Sequence, residues 1–441
     1  MRNFKLHTLS ASLGLIACMG TAHAAGFQLL EQNASGLGVA YAGSAAIADN
    51  ASTVYFNPAG MTRLPGLNIS VGGTIIKPSF KFTDDGRSTM PKALGRSPFP
   101  HSLGGNGGDA GSLGFLPNMF ISYQATDRVY LGLGVGAPFG LKTEYDDDWM
   151  GRFHSKSFDI KTYNINPSIA YKVSPSFSVG AGLNIQYIDA TYKKSNVAPI
   201  GVHPLDGGPL FTNAESKSKL NNTGFGWNVG FMYEPSEDTR IGLSYRSRVK
   251  HKTDGDTTLS VMSPNGPIAQ LKADSKATVS LPDTVILSGY QRLSDRWELL
   301  GDISWTGWSS IPSLTVKNAA PINSETELDL KFKDSWRIAV GAQYQVNESW
   351  KLKGGVAWDQ SPVQKTSHRP ASLPDNDRYW LSIGAQYKPS ENTTFDVGYT
   401  YLIVPKSKVD NTNNNEALYG RLSGKYKANA HIFGVQLSHR F

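Results

Sequence analysis

The sequence has almost no cysteine, because Cys18 is the only one among 441 residues. It lies in the first segment of the chain, so a mature chain without that segment has no thiol and forms no disulfide. The excess of positive over negative charge is also small. The formal net charge is +7, and Arg2 and Lys5 supply two of these charges. So small an excess suits an anionic membrane surface or an acidic ligand, and it argues against a nucleic-acid partner.

Catalytic and cofactor motifs are absent as well. The histidines after residue 24 form neither a nucleophile elbow nor a zinc-binding spacing, and the chain has no P-loop. They are His101, His154, His203, His251, His368, His431 and His439. We therefore expect no enzyme activity, no cofactor and no metal, with an outer-membrane barrel enzyme as a less favoured alternative. Asp146-Asp147-Asp148 either forms a solvated loop tip, which we prefer, or binds a divalent ion that bridges lipopolysaccharide phosphates.

Long apolar runs are missing after the first 24 residues, where none reaches the roughly 18 residues of a membrane-spanning helix. Before that point, two basic residues precede the apolar run Leu9 to Met19, and Ala22-His23-Ala24 offers small residues at the cleavage position. We predict a secretory signal peptide over residues 1–24 and a mature chain that starts at Ala25. The alternative is a lipoprotein box, Leu15-Ile16-Ala17-Cys18, in which the cysteine is lipidated.

Residues 25–64 are rich in glycine and alanine and show neither the alternation of a strand nor the apolar stripe of a helix. Their apolar side chains, Phe27 among them, need a wall to pack against, and the following strands can supply one. The proline of Asn57-Pro58-Ala59 fixes its own φ and restricts the preceding residue, which predicts a rigid turn. We therefore predict that residues 25–66 form a hatch inside a barrel built by residues 67–441.

From residue 67 onward, apolar residues alternate with small or polar ones. Between Phe177 and Tyr187, the odd positions are apolar or aromatic and the even positions are Ser, Gly, Asn or Gln. A soluble β-sandwich shows this period too, but here short polar turns alternate with long loops, which is typical of outer-membrane barrels. The connections predict an all-β fold, a 14-stranded antiparallel transmembrane β-barrel with an N-terminal hatch (plug) inside the lumen. A general diffusion porin, with an open and wet lumen, is the other barrel considered.

Two features of the strands and loops predict parts of a site. The third strand ends at Ala137-Pro138-Phe139-Gly140, where proline cannot donate to the ladder and glycine weakens it, so we expect Pro138 and Gly140 to mark a kink or the end of the strand. Apolar side chains on two long loops, 193–220 and 253–271, are costly in water and predict either a ligand contact or a lid. The residues assigned to substrate binding on these loops are Ile200, Val202, Phe211, Leu259, Val261 and Leu271.

Several motifs resemble those of the FadL-type long-chain fatty acid transporters. Ala25-Gly26-Phe27-Gln28-Leu29, Gly36-Leu37-Gly38 and Asn57-Pro58-Ala59 match the hatch of that family in order and spacing. The likeness continues in Phe225-Gly226-Trp227-Asn228 and Asp359-Gln360-Ser361-Pro362-Val363, and it covers essentially the whole mature chain. The resemblance implies passive, ligand-gated uptake of hydrophobic compounds across the Gram-negative outer membrane. Long-chain fatty acids are the first expectation, and uncharged aromatic or alkane hydrocarbons are the alternative.

The resemblance also implies how substrate enters and leaves. Gly140 falls on a glycine at which the third strand of the family kinks and opens a lateral hole in the wall. The outer loops form a first, weaker substrate groove, and the hatch segment at Phe27 shifts when substrate binds. The expected partners are a long-chain fatty acid or another hydrophobic small molecule, outer-membrane lipid and lipopolysaccharide, and we expect a monomer.

For an acidic head group the resemblance points to Lys194, which follows Tyr192 and matches an arginine that contacts the ligand carboxylate. Lysine keeps the charge but lacks the bidentate fork of arginine. In that family a lysine is the second residue that contacts the ligand carboxylate, and the residue that aligns with it here is Leu328. Either Lys331 or Lys333 substitutes for it, or the ligand carries no acid.

Overall fold

The computed structural model describes residues 26–441, so the predicted signal peptide and its cleavage site lie outside the described residues. Nineteen strands form one sheet. The strands are β1 (Leu67–Asp84), β2 (Gly114–Gln124), β3 (Val129–Gly136), β4 (Gly140–Glu144), β5 (Ser157–Ser174), β6 (Phe177–Val202), β7 (Pro209–Ser236), β8 (Thr239–Arg246), β9 (Val249–Ser263), β10 (Gly266–Leu281), β11 (Thr284–Arg292), β12 (Trp297–Thr306), β13 (Ser313–Asn318), β14 (Ser324–Asp329), β15 (Ser335–Gln345), β16 (Trp350–Asp359), β17 (Arg378–Ser390), β18 (Thr393–Asn411) and β19 (Leu422–Arg440).

The helices are short. In the described part of the chain, three are α-helices: α1 (Ala34–Leu37), α2 (Thr53–Phe56) and α3 (Glu416–Tyr419). Single 3₁₀ turns or short 3₁₀ helices occur at Pro58–Arg63, Lys92–Arg96, Trp308–Ser310 and Thr366–His368. Within residues 26–441, no helix has the length and apolar character needed to cross a membrane.

The sheet closes on itself because β1 pairs antiparallel with both β2 and the C-terminal strand β19. Five of the wall strands are interrupted, so that β3–β4, β8–β9, β10–β11, β12–β13 and β14–β15 each act as one strand of the wall. The nineteen segments therefore make a closed barrel of 14 strands. This confirms the predicted all-β, 14-stranded antiparallel barrel.

The outward face of the wall is an apolar belt. Side chains such as Ile169 and Val340 are about half exposed, at 51% and 52%, although they are aliphatic. Exposed Tyr and Trp side chains flank this belt. Those near the short turns include Tyr123, Tyr171, Tyr233, Trp297, Trp350 and Tyr387, and those near the opposite end include Trp227, Trp336 and Tyr379. An apolar belt between two aromatic girdles is the lipid-facing surface of a transmembrane barrel.

Two of the predicted long loops are strands instead. β6 and β7 stay paired out to Val202 and Pro209, and β9 and β10 stay paired out to Ser263 and Gly266. Most of the ranges 193–220 and 253–271 therefore belongs to two hairpins that extend beyond the lipid-facing belt. Neither face of such a hairpin contacts lipid, so apolar and polar side chains need not alternate along it. Because this alternation is what predicts a membrane strand, the sequence predicted loops here.

Residues 26–66, here called the N-terminal segment, lie inside the barrel and are held by polar side chains of the wall. Lys353 on β16 and Asp396 on β18 form an ion pair of 2.7 Å, and both side chains are 1% exposed. Lys353 Nζ also donates to Ser35 Oγ at 3.0 Å. On the opposite wall, Arg246 donates to the carbonyl oxygen of Tyr55 at 2.8 Å. The bond from Arg246, and a further bond of 3.1 Å from Lys353 Nζ to the carbonyl oxygen of Ser35, satisfy backbone groups that cannot reach bulk water.

The small residues on the inward face of the strands leave room for this segment. A Cβ atom added at Gly242 would lie 1.9 Å from the carbonyl oxygen of Ala45, and one added at Gly384 would lie 2.8 Å from the Cα of Gly38. A larger residue at either position would displace the N-terminal segment. The glycine-rich face that alternates with the apolar belt is therefore the surface on which this segment rests.

Candidate functional site

The barrel wall is incomplete where β3 ends. β3 pairs with β2 up to Val135, whereas β4 forms its ladder with β5. Beyond that point β2 continues along β1 as far as Gly114. The residues between β3 and β4 include Pro138, which has no N–H to donate. The ladder between β2 and β4 is therefore interrupted around Pro138, at the position predicted for a kink.

The N-terminal segment occupies this interruption from the lumen. Leu29 N donates to the carbonyl oxygen of Pro138 at 2.8 Å, and Gly140 N donates to the carbonyl oxygen of Phe27 at 2.9 Å. Gln32 Nε2 donates to the carbonyl oxygen of Ala137 at 2.8 Å. The start of the segment thus pairs with the kink as a short antiparallel strand and satisfies backbone groups that lack a neighbour in the wall.

Aromatic contacts fix the same end of the segment. The ring centroid of Phe27 lies 5.0 Å from that of Trp308 and 6.0 Å from that of Phe139, both in edge-to-face geometry. Gly26 N donates to Asp375 Oδ2 at 3.1 Å. Asp375 is itself held by Arg378, with which it forms a buried ion pair. Asp375 in the loop before β17 therefore anchors the first residue of the described chain.

Phe27 forms part of the lining of an apolar cavity in the lumen. The cavity wall comes from β4, β5, β6, β7, β9, β10, β13, β14 and three loops. Its lining includes Leu141, Phe158, Ile160, Ile188, Tyr192, Leu220, Val279, Ile311, Leu314, Val316, Leu328, Leu330, Phe332 and Leu373. A cavity with so few polar groups favours an apolar ligand.

A second cavity adjoins the first one. Tyr192, Ser218 and Val316 line both cavities, so Tyr192 stands at the boundary between them. The second cavity is more polar and contains Lys194 and the ring of Tyr419. Together the two cavities lead from the extracellular hairpins to Phe27.

Lys194 is the cation of this path. It lies on β6 beyond Tyr187 and Asp189, which mark the upper edge of the lipid-facing belt, and it is only 4% exposed. Its Nζ lies 4.6 Å from the ring centroid of Tyr419. In the described part of the chain, no carboxylate lies within ion-pair distance of it. Burial lowers the pKa of the Lys194 ammonium to about 7. An unpaired buried cation of this kind is stabilised by an anionic ligand.

The other residues predicted from the sequence are dispersed. Leu259 lines the second cavity. Val261 packs in a small cluster at the outer hairpins, where Ile200 contacts it. Val202 is 67% exposed, and Phe211 and Leu271 are half-buried on the same hairpins. Neither Val202 nor these two residues line either cavity.

The two substitute lysines lie outside the cavities. The Lys331 side chain is 61% exposed and pairs with Asp329 at 3.0 Å. Lys333 is exposed as well. Leu328, Leu330 and Phe332 alternate with them and face the first cavity, so the lysines point to the other side of the chain.

Most of the apolar lining was not predicted from the sequence. The sequence does indicate this lining on the inward face of β6, where the polar residues Asn184 and Gln186 are followed by the apolar Ile188. The inward face of β5 likewise changes, from Asn164 and Thr162 to Ile160. Such a change from polar to apolar within one face marks the level at which the lumen becomes apolar.

The predicted turn at Asn57-Pro58-Ala59 lies against the wall near the short-turn end. The Asn57 side chain donates to the carbonyl oxygens of Ala45 and Phe231 at 2.7 and 3.0 Å, and it accepts from Ala59 N at 3.1 Å. Pro58 is the first residue of the 3₁₀ helix that follows. The turn therefore connects two parts of the N-terminal segment to β7.

Glu31 is a further buried group of the N-terminal segment. It is 0% exposed, and neither carboxyl oxygen has a hydrogen-bond partner in the described structure. Burial raises the pKa of its carboxyl to about 8, against the opposing influence of Arg378 and Arg337. The group is therefore largely neutral at pH 7.

A lipid-facing barrel, an internal segment paired with a kinked strand and an apolar path in the lumen together define an outer-membrane transport channel. The chain belongs to the family of outer membrane protein transport proteins (OMPP1/FadL/TodX), whose model matches residues 15–441. It is accordingly a protein of the Gram-negative outer membrane. The family consists of transporters and channels.

Named relatives span the whole chain. Outer membrane protein P1 of Haemophilus influenzae is 32% identical, with 100% of both chains covered. A long-chain fatty acid transport protein of Escherichia coli is also 32% identical, with 99% of both chains covered. Among solved structures, a Pseudomonas aeruginosa FadL homologue superposes with a TM-score of 0.84 at 24% identity and covers 95% of this chain and 100% of its own. The Pseudomonas putida toluene transporter TodX gives a TM-score of 0.69 at 16% identity, with 89% and 94% covered.

Proposed function

We propose that this protein takes up long-chain fatty acids passively through the outer membrane, with residues 25–66 acting as a ligand-gated hatch. The observation that carries this proposal is the continuity of the apolar path. One cavity reaches from Tyr192 to Phe27, and Phe27 is hydrogen-bonded to the kink at Gly140. A ligand that fills the cavity therefore touches the residue that closes the gap in the wall.

Lys194 supports a fatty acid as the substrate. Its ammonium lies beyond Tyr192 on the extracellular side of the apolar cavity, where the carboxylate of an acid would sit while its chain extends towards Phe27. The relative named as a long-chain fatty acid transport protein supports the same choice. A buried ammonium without a carboxylate partner gains most from a ligand that carries one.

The gating step follows from differential binding. A ligand shifts the hatch only if it binds the displaced state more tightly than the docked state. An acyl chain that pushes against Phe27 meets this condition because it takes over the apolar contacts of Phe27 in the cavity. The hydrogen bonds of Leu29 and Gly140 at the kink then break, and the ligand leaves sideways between β2 and β4.

Uncharged hydrocarbons are the second candidate. The specific observation in their favour is that the first cavity has no charged side chain in its lining, with Leu328 at the position of the second polar contact of the family. Such a ligand would use the same path without Lys194. The outer hairpin residues Ile200, Val202, Phe211, Val261 and Leu271 are proposed to capture either ligand before it reaches the cavity.

A competition experiment separates the two candidates. Labelled oleate bound to the purified barrel is displaced by unlabelled oleate, toluene or an alkane, for the natural chain and for Lys194→Met. A fatty acid transporter binds oleate more tightly than the hydrocarbons, and loses this preference in the variant. Lys331→Met, which changes an exposed lysine with the same loss of charge, serves as the matched control. Equal binding of oleate and toluene by both natural and variant proteins would favour the hydrocarbon assignment.

A further inference from the structure

Six lysines lie together on the outside of the barrel where its first strand meets its last two. They project from β18, β19 and β1, and every one is exposed, while their neighbours along the strands are buried, except for Pro405. We call them the seam patch: Lys77, Lys81, Lys406, Lys408, Lys425 and Lys427. None of them contacts the lumen, so none belongs to the path described above.

The strand register sets lysines of the seam patch directly opposite each other. Lys81 on β1 pairs in register with Lys427 on β19, and Lys408 on β18 pairs with Lys425 on β19. Opposed side chains in antiparallel strands have Cβ atoms about 4.5–5.5 Å apart, and like charges at such positions destabilise the sheet. Two such pairs on adjacent strands form a concentrated positive surface.

Acidic residues do not neutralise this surface. Lys81 alone has an ion pair, at 3.9 Å from Asp109. Along residues 26–441, the other five lysines of the patch form no ion pair. The hairpin of β9 and β10 provides a contrast, because Lys272 and Lys276 lie 3.7 Å from Asp256 and Asp254. Lys272 and Lys276 are thus each paired with an acid, whereas, among the described residues, five of the six lysines at the seam are not.

The seam patch begins at the level of lipid head groups and extends outward from it. Ile75 and Phe433, paired in register, are among the last outward apolar residues and are 44% and 46% exposed. The next outward pair is Lys77 and His431. On β18 the outward apolar surface extends to Ile403, which is 40% exposed and pairs in register with Asn429. Strands advance by about 3.3 Å per residue, so Lys77 lies about 7 Å beyond Ile75, and Lys427 lies about 7 Å beyond the level of Ile403. Lys81, Lys408 and Lys425 lie at the same level as Lys427 or further out. The patch lies on the side of the extended hairpins, away from the short turns.

We propose that the seam patch binds the phosphate groups of a phosphorylated glycolipid of the outer leaflet, of the lipopolysaccharide type. A phosphate between Lys81 and Lys427 and another near Lys408 and Lys425 would convert two repulsive pairs into charge-assisted hydrogen bonds. The acyl chains of the same lipid would lie along the apolar belt below, beside Ile75 and Phe433. The glycolipid thus satisfies both the charges and the apolar surface of the seam.

The test compares two variants with the same loss of charge. The patch variant replaces one set of four lysines by glutamine: Lys81, Lys408, Lys425 and Lys427. The control variant replaces four outward lysines of β9 and β10 by glutamine: Lys250, Lys252, Lys272 and Lys276. Binding of diphosphorylated lipid A to the full-length barrel in phosphatidylcholine nanodiscs is measured by native mass spectrometry. We expect the patch variant to bind about tenfold more weakly or worse, and the control to change by less than about twofold.

Further measurements identify which part of the lipid the seam patch binds. Lipid A without its phosphates should bind the natural protein as weakly as diphosphorylated lipid A binds the patch variant. Inorganic phosphate should compete only poorly, because it lacks the acyl chains. The proposal is overturned if both variants lose equally, if removal of the phosphates has no effect, or if inorganic phosphate binds as tightly as lipid A. Without lipid A, the patch variant should unfold at a temperature no lower than the natural protein, since it relieves like-charge repulsion; this measurement separates lost binding from misfolding.

Discussion

Phe27 and Gly140 are joined by a backbone hydrogen bond in which Gly140 N donates to the Phe27 carbonyl oxygen at 2.9 Å. One residue lines the apolar cavity, and the other begins the strand after the kink. In the proposed mechanism, filling of the cavity and opening of the wall are therefore coupled through this contact and the neighbouring bonds of Leu29 and Gln32. The position of the gap next to the cavity gives a ligand a route out that does not require the whole N-terminal segment to leave the lumen.

A bulky residue at position 140 should block this route. Gly140 is buried beside the N-terminal segment, so we expect Gly140→Val to reduce uptake of labelled oleate by about tenfold while the barrel still assembles. Uptake by intact cells and heat-dependent mobility on gels measure the two properties separately. The matched control is Gly354→Val, because a Cβ at Gly354 meets no atom within 4 Å. Unchanged uptake in the assembled Gly140 variant would remove the lateral exit from the mechanism.

Binding of fatty acids should depend on pH through Lys194. Burial lowers the pKa of its ammonium to about 7, so the free protein carries the charge below that pH and loses it above. Oleate affinity should therefore fall as the pH rises from about 6 to about 9, and Lys194→Met should lower it by roughly ten- to a hundredfold at the lower pH. Lys194→Arg should retain tight binding across this range because arginine stays protonated. Isothermal titration at each pH gives the affinities, and a pH dependence that persists in the Met variant would contradict this role.

Docking of the N-terminal segment should weaken at high pH because of Glu31. Burial raises the pKa of its carboxyl from 4.5 to about 8, so the folded state binds more protons than the unfolded state between these values. Stability therefore falls as the pH rises through this window and is lowest above about pH 8. Glu31→Gln should remove this dependence and hold the segment more firmly at about pH 9 than the natural residue does.

A nitroxide label at Asp49, an exposed residue of the segment, reports this change as spectral mobility. The mobility should increase between about pH 6 and about pH 9 in the natural background and stay constant in Glu31→Gln. Glu391→Gln, which alters an exposed carboxylate in a turn, is the control. Equal responses of all three proteins would show that Glu31 does not govern docking.

The barrel could be predicted from the sequence because contact with lipid requires an apolar side chain at every second position of a strand. Residues such as Ile169 and Val340 must face hydrocarbon, and their neighbours must not, so the alternation is visible within a few residues. The kink at Pro138 was predicted for a similar reason, since the missing N–H is a property of one residue. Lys194 came only from the family resemblance.

The cavity was harder to predict because its lining converges from strands that are distant in sequence. Nothing near Ile188 indicates that it faces Leu314, and only closure of the barrel brings both to one cavity. Lys331 and Lys333 were assigned from their closeness to Leu328 along the chain. Adjacent residues of an extended chain point to opposite sides, which is why the structure has these lysines exposed.

The polar bonds between Lys353 and Ser35 and between Arg246 and Tyr55 lie deeper in the N-terminal segment than Phe27. If a ligand frees only the residues near Phe27, these bonds and the covalent link to β1 keep the freed end close to its binding site at the kink. A tethered end has a high effective concentration at its own binding site, so it returns quickly once the ligand has left. The channel can therefore reset after each passage without any source of energy.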